Sequence, residues 1–227
     1  MTGNKNDISA TPSRFKAKLP LKGRNRAILP NNPVEEVSWY DVLVFCNRLS
    51  IQEGLTPVYS ISGSTNPDRW GNVPTIMNVI WSAVRVNSSA KGYRLPTDAE
   101  WQYAARGGSR GRATTYAGSN NIDDVAWYWI NSGDKILSGA WHWNKIEPNN
   151  SSTRPVGGKN ANELGIYDMS GNVIEWTFTA SDSYRGYRVG RGGSWFNNAD
   201  NCEVSYRCSY NPDFRFPDFG FRVLRTQ

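Results

Sequence analysis

The chain has 227 residues, with 26 Lys plus Arg against 20 Asp plus Glu, a formal charge of +6 that raises the question of nucleic-acid binding. Hydrophobic residues make up 38% and aromatic residues 13%, so global disorder is excluded despite a mean hydropathy of −0.60, and a core can form without disulfide stapling. Apolar runs such as Val42 to Cys46 fall far short of the ~18 residues of a membrane span, and three cysteines are too few for a disulfide framework or a four-thiolate zinc site.

Between Met1 and Arg26 lie seven basic residues and one acidic residue, while the remainder carries 19 of each. The whole excess charge therefore sits in a Ser/Thr/Asn/Pro-rich opening segment, residues 1–32. It reads as a mobile basic arm, either a solvated leader or a nucleic-acid-binding tail, ahead of one neutral domain over residues 33–227. Ser38 precedes apolar residues at Trp39, Val42, Leu43, Cys46 and Leu49, with Asp41 placed to answer the cap, and this spacing predicts an amphipathic helix ending near Gly54. Thr56 to Gly63 alternates like a short strand running into a turn. Thr97-Asp98-Ala99-Glu100 predicts a second capping box and helix, with Trp101, Ala104 and Ala105 as its buried stripe and Gly107-Gly108 as its stop.

From Gly111 onward helical periodicity disappears, and Gly, Asn, Asp, Ser and Pro separate short segments rich in aromatic residues, so loops and short strands must pack there. The single histidine, His142, excludes two-His and three-His metal centres. Between Trp141 and Trp143 it suits packing or a turn better than a catalytic triad. No phosphate-binding loop is present. One α+β domain is the simplest reading.

Four blocks carry a resemblance: Val37-Ser38-Trp39-Tyr40-Asp41, Gly92 to Trp101, Gly165 to Trp176, and Arg191-Gly192-Gly193-Ser194-Trp195 followed by Gly220-Phe221-Arg222. In this order they resemble the formylglycine-generating-enzyme domain family. The resemblance implies a C-type-lectin-like fold, two helices on a small twisted antiparallel sheet with long irregular loops. The family's enzymes use a cysteine pair after the Gly-Gly-Ser-aromatic motif. Here the second position is Cys202 but the first is Asn197, so copper held between two thiolates is not expected. No catalytic residue and no required cofactor follow. An oxidase with altered thiol chemistry at Cys202 is the alternative.

The C-terminal stretch is similar to something narrower, the variable region of proteins diversified by retroelements. That resemblance implies a fixed framework of Gly192 to Trp195, Asn197-Asn198-Ala199, Asn201-Cys202, Arg207, Asn211-Pro212-Asp213, Arg215 and Gly220 to Arg222. Between these, over residues 196–219, would lie a ligand-binding set: Phe196, Asp200, Glu203, Ser205, Tyr206, Cys208, Ser209, Tyr210, Phe214, Phe216, Pro217, Asp218 and Phe219. All but Glu203 comply with Asn codons randomised at their first two bases. Six of the set are aromatic without a clean period, which suits a contact surface of rigid rings as well as a core. Trp195 and Phe221 are expected in the core, and Asn197, Asn198, Asn201 and Asn211 are expected to hold the irregular backbone. The resemblance further implies a ligand that is a protein or another cell-surface molecule. It places the protein at the cell surface or outer membrane, with membrane contact only through a lipid anchor ahead of these residues, and no nucleic acid is expected on the folded domain. A structural calcium ion would take oxygens from Asp168, Gly171, Val173 and Glu175; the two acids could equally pair with Arg94 or Arg191.

Overall fold

Helix α1 (Trp39–Gln52) starts where the Ser38 hydroxyl accepts the Asp41 N–H at 3.1 Å and the Asp41 carboxylate accepts the Ser38 N–H at 2.7 Å. These geometries come from a computed structural model in which residues 8–9, 12–15 and 31–225 are described. Helix α2 (Asp98–Ala105) opens with the same reciprocal box between Thr97 and Glu100, buries Trp101 and Ala105, and stops at Gly107 and Gly108, both at positive φ. The expected strand after α1 shrinks to Tyr59–Ser60, paired antiparallel with Arg85–Val86.

Five further strands organise the C-terminal half: β1 (Ser170–Gly171), β2 (Ile174–Ala180), β3 (Arg188–Arg191), β4 (Arg207–Tyr210) and β5 (Phe219–Gly220). The last four form one sheet in the order β4-β3-β2-β5, antiparallel except for the β2–β5 pair, where Ile174 faces Phe219 in parallel register. Ala126–Trp127 pairs in parallel with β1. Two indoles pin α1 to the sheet: Trp39 Nε1 donates to the Thr177 carbonyl and Trp176 Nε1 to the Val37 carbonyl, each at 2.9 Å. Helix α2 is tied down by Trp101 Nε1 to Glu175 Oε2 at 2.7 Å and by Asp98 to Arg191. The stretch after Gly111 is loop-rich as expected, with single helical turns at Ile122–Val125 and Trp143–Ile146. His142 has a turn role: its Nδ1 accepts the Asn144 N–H at 3.2 Å.

Most of the basic segment 1–32 lies outside the described residues. Within it, Ser13 is buried and Phe15 meets Trp195 edge-on at 5.2 Å, so these positions belong to the packed body and the domain begins before residue 33. No helix among the described residues is long and apolar enough to cross a membrane.

Candidate ligand-binding site

The site grows from the turn after β3. Gly192 and Gly193 hold φ of 90° and 70°, and a Cβ on Gly193 would come within 2.6 Å of the Asn201 carbonyl, so only glycine lets the chain fold back here. That turn buries Ser194 and Trp195, and Trp195 Nε1 donates to the Pro217 carbonyl at 2.9 Å, joining the start of the 196–219 segment to its end. Phe196 is flanked by Trp141, Trp143 and Trp195 with ring centroids 5.1–5.6 Å away, and Trp141 Nε1 donates to the Phe196 carbonyl at 2.8 Å. Along β4, Cys208 and Tyr210 share one face by the strand's period of two. Tyr210 contacts Phe214, Phe216 and Phe219. Between these two ring groups opens a cavity of about 600 Å³, walled by Phe15, Trp143, Ile146, Trp195, Phe196, Tyr210 and Phe216, with Pro217, Asp218 and Phe219 beside them and Arg14, Glu147, Asn150, Ser151 and Ser152 completing the lining.

The expected ligand-binding set divides. Phe196, Tyr210, Phe216, Pro217, Asp218 and Phe219 line the cavity, and Phe214 backs Phe216 at 5.1 Å. Phe219 is nevertheless a core residue, 1% exposed and 4.8 Å from the Trp176 ring, because its parallel pairing beside Ile174 turns the ring inward. Cys208 also belongs with the core: its Sγ donates to the Gly190 carbonyl at 3.2 Å, and burial pushes its thiol up to about 12. Ser209 projects from the opposite face of β4. Asp200, Glu203 and Ser205 are not among the cavity-lining residues. Glu203 accepts from the Ser205 hydroxyl at 2.9 Å, and the segment is anchored by Val204 N–H to the Thr115 carbonyl. Tyr206 is half-buried and hydrogen-bonded to the Asn201 side chain. The framework asparagines do less than expected: Asn198 starts a 3-10 turn without a side-chain cap, and Asn211 Oδ1 is buried without a partner.

The calcium set does not fit as placed. Glu175 is taken by a cation of the chain itself: Arg222 Nε lies 2.5 Å from Oε2 and Nη2 2.7 Å from Oε1, while Trp101 donates to Oε2 as well. Arg222 Nη2 also donates to the Asp168 carbonyl at 3.3 Å, and the Asp168 carboxylate accepts the Gly157 N–H at 2.7 Å. Gly171 and Val173 would add main-chain carbonyls only, so the set depends on the two acids. Neither acid pairs with the arginines named above, since Arg94 holds Glu100 and Arg191 holds Asp98. Among the described residues no group of three or more His, Cys, Asp or Glu is placed to hold a metal.

The thiol alternative meets an obstacle of its own. Cys202 is fully buried, and desolvation pushes its thiol up to about 12, far from the thiolate that nucleophilic or copper chemistry needs. At the position where the family has its other cysteine, the Asn197 side chain meets the Ser194 hydroxyl at 3.0 Å.

Outside residues 196–219 and the turn at residues 192–195, the walls of the cavity come from Phe15, Trp143 and Ile146, and the Trp141 ring packs against Phe196. The only signal for them in the sequence is the Trp141-His142-Trp143 cluster, which carries no indication of which distant segment it meets.

The family model described as the sulfatase-modifying factor enzyme 1-like domain matches residues 9–227. The chain is 46% identical over 200 residues to "Chaperone protein LppX" of Paenibacillus barcinonensis, covering 86% of this chain and 70% of that protein. It is 32% identical over 158 residues to "Inactive C-alpha-formylglycine-generating enzyme 2" of Bos taurus, covering 65% of this chain and 48% of that protein, so it spans about half the bovine relative's length. Among solved structures, Treponema denticola variable protein 1 superposes with a TM-score of 0.74 at 33% identity, over 94% of this chain and 76% of that one.

Proposed function

The chain belongs to the sulfatase-modifying factor enzyme 1-like domain family and has its C-type-lectin-like fold, and from that premise we propose that it is a non-catalytic protein that binds a polypeptide ligand in its aromatic cavity. The observation that carries the reading is the cavity itself. Rings from four separated segments converge on one opening of about 600 Å³, a size and lining suited to a ligand anchor. Similarity to a protein named a chaperone, to one named an inactive enzyme and to a variable protein supports a non-catalytic scaffold. Burial of the Cys202 and Cys208 thiols supports it from the chemistry. Aromatic rings with few rotatable bonds lose little entropy on contact, so one scaffold can serve different ligands when the rings change.

On the same reading, retroelement diversification would act on Phe196, Tyr210, Phe214, Phe216, Pro217 and Asp218, where side chains reach or back the cavity, and the protein would work at the cell envelope. Selection from a displayed peptide library tests binding. The native protein is expected to enrich a consensus, and a Phe196→Ser/Tyr210→Ser/Phe216→Ser variant is expected to lose it while remaining folded. Equal enrichment by both proteins would remove the cavity from the function. Diversification has a separate test in the flanking DNA, where a near-copy of the 3′ end differing at adenines should lie beside a reverse transcriptase gene.

A further inference from the structure

The cavity has largely apolar walls and one unpaired carboxylate in its lining. Asp218 lines it between Pro217 and Phe219 and is half-buried; its Oδ2 meets the Ser194 hydroxyl at 3.1 Å. That hydroxyl also lies 3.0 Å from Asn197 Oδ1, and its single proton can serve only one of the two acceptors. Among the described residues no lysine or arginine pairs with Asp218. The ionisable groups beside it are Cys208 and Tyr210, both held neutral by burial, with pKa values pushed up to about 12. The other charged residues lining the cavity are Arg14 and Glu147, exposed and of opposite sign, and neither pairs with Asp218. The cavity thus holds one uncompensated carboxylate within a ring of aromatic faces.

A desolvated carboxylate without a counter-charge is costly, and aromatic faces attract cations. The two together define a complement. We propose that the cavity takes a cationic side chain of a protein partner, a lysine ammonium or an arginine guanidinium, with Asp218 as its counter-ion and Phe196, Tyr210 and Phe216 around its aliphatic stem. This rests on the polypeptide-binding reading above and adds its specificity. Because Asp218 stands in the segment expected to vary, the preference belongs to this sequence and would change with that residue. Desolvation raises the Asp218 pKa to about 6, so the preference should be present at pH 8 and lost at pH 5.

Three probes test this on the full chain: N-acetyl-lysine methylamide, N-acetyl-arginine methylamide and the norleucine analogue, which keeps the stem and lacks the charge. Binding is followed by tryptophan fluorescence, since Trp143 and Trp195 line the cavity. At pH 8 at least one cationic probe should bind about tenfold or more tightly than norleucine, roughly the effect of one desolvated cation contact. Asp218→Asn should abolish the difference between the cationic probes and norleucine without lowering the melting temperature, since it removes a desolvated charge. Equal affinity for all three probes, or a preference that survives Asp218→Asn, overturns the proposal. If the peptide library still gives a consensus in that case, the cavity binds peptide without reading charge; if it gives none, the underlying reading fails too. The chain's own basic residues beyond Phe15 are the competing occupant. A Lys16→Gln/Lys18→Gln variant with unchanged probe affinity supports a partner's side chain, and one with about tenfold higher affinity assigns the carboxylate to the arm and overturns the proposal.

Discussion

Phe219 sets its ring 4.8 Å from that of Trp176, across the only parallel strand pair of the main sheet. Gly190 of β3 makes room for the side chains beside it, since a Cβ there would come within 2.7 Å of Ile174 Cγ2 and 2.9 Å of Cys208 Sγ. One edge of the Phe219 ring touches the cavity, but its area is buried in the core. Phe219→Ala should therefore cost about 3–5 kcal/mol of stability. Phe216→Ala, at a residue 40% exposed, should cost less than about 1 kcal/mol. Urea denaturation of the two variants checks this, and equal costs would mean that Phe216 is core as well.

The contrast shows what the sequence makes legible. Capping boxes at Ser38 and Thr97 can be read because donor, acceptor and helix lie within four residues. Phe219 cannot, because its burial depends on a partner strand 45 residues earlier in the chain. The Gly-Gly-Ser-Trp turn is visible as a motif, yet its closure onto Pro217 and the approach of Phe15 and Trp141 depend on long-range packing that has no local pattern. Charge pairing fails for the same reason. Glu175 was equally compatible with calcium, Arg94 or Arg191 on sequence spacing, and the sheet delivers Arg222.

The Glu175–Arg222 pair is two-pronged, and the Glu175 side chain is only 5% exposed. Arg222→Met would leave a buried carboxylate with Trp101 as its remaining donor and should cost about 3–5 kcal/mol. Adding Glu175→Gln should recover part of that loss, because the desolvated charge is then gone. A double-mutant cycle by chemical denaturation measures the coupling, and purely additive effects would contradict the pairing.

Thiol chemistry makes a sharp kinetic expectation. With the thiols of Cys202 and Cys208 pushed up to about 12 by burial, almost no thiolate is present at pH 7. Native protein should resist alkylation and expose all three cysteines on unfolding. Cys202→Ser buries a hydroxyl in a site shaped for sulfur and should cost about 1–3 kcal/mol, while leaving peptide selection intact. Rapid modification of Cys202 in the native state would restore the oxidase alternative.

Glu35 controls a pH dependence that can be separated from the cavity. It is fully buried, its Oε1 accepts the Phe15 N–H at 3.1 Å, its own N–H donates to the Ser13 hydroxyl, and Oε2 has no partner. Burial raises its pKa from 4.5 to about 7. The folded state therefore binds this proton more tightly than the unfolded chain, and stability is highest below about pH 4.5 for this group and falls as the pH rises toward 7. The loss levels off above that, at about 3 kcal/mol if the whole shift is realised. Asp218, raised from 3.8 to about 6, adds a fall of the same sign over a lower window. Glu35→Gln keeps the shape and removes the ionisation, so it should flatten the upper part of the profile and stabilise the protein at pH 8 more than at pH 5. Denaturation midpoints at the two pH values decide the matter. An unchanged slope would place the proton elsewhere, and a general loss of stability would show that the carboxylate, not the carboxylic acid, holds Ser13 and Phe15 against the domain.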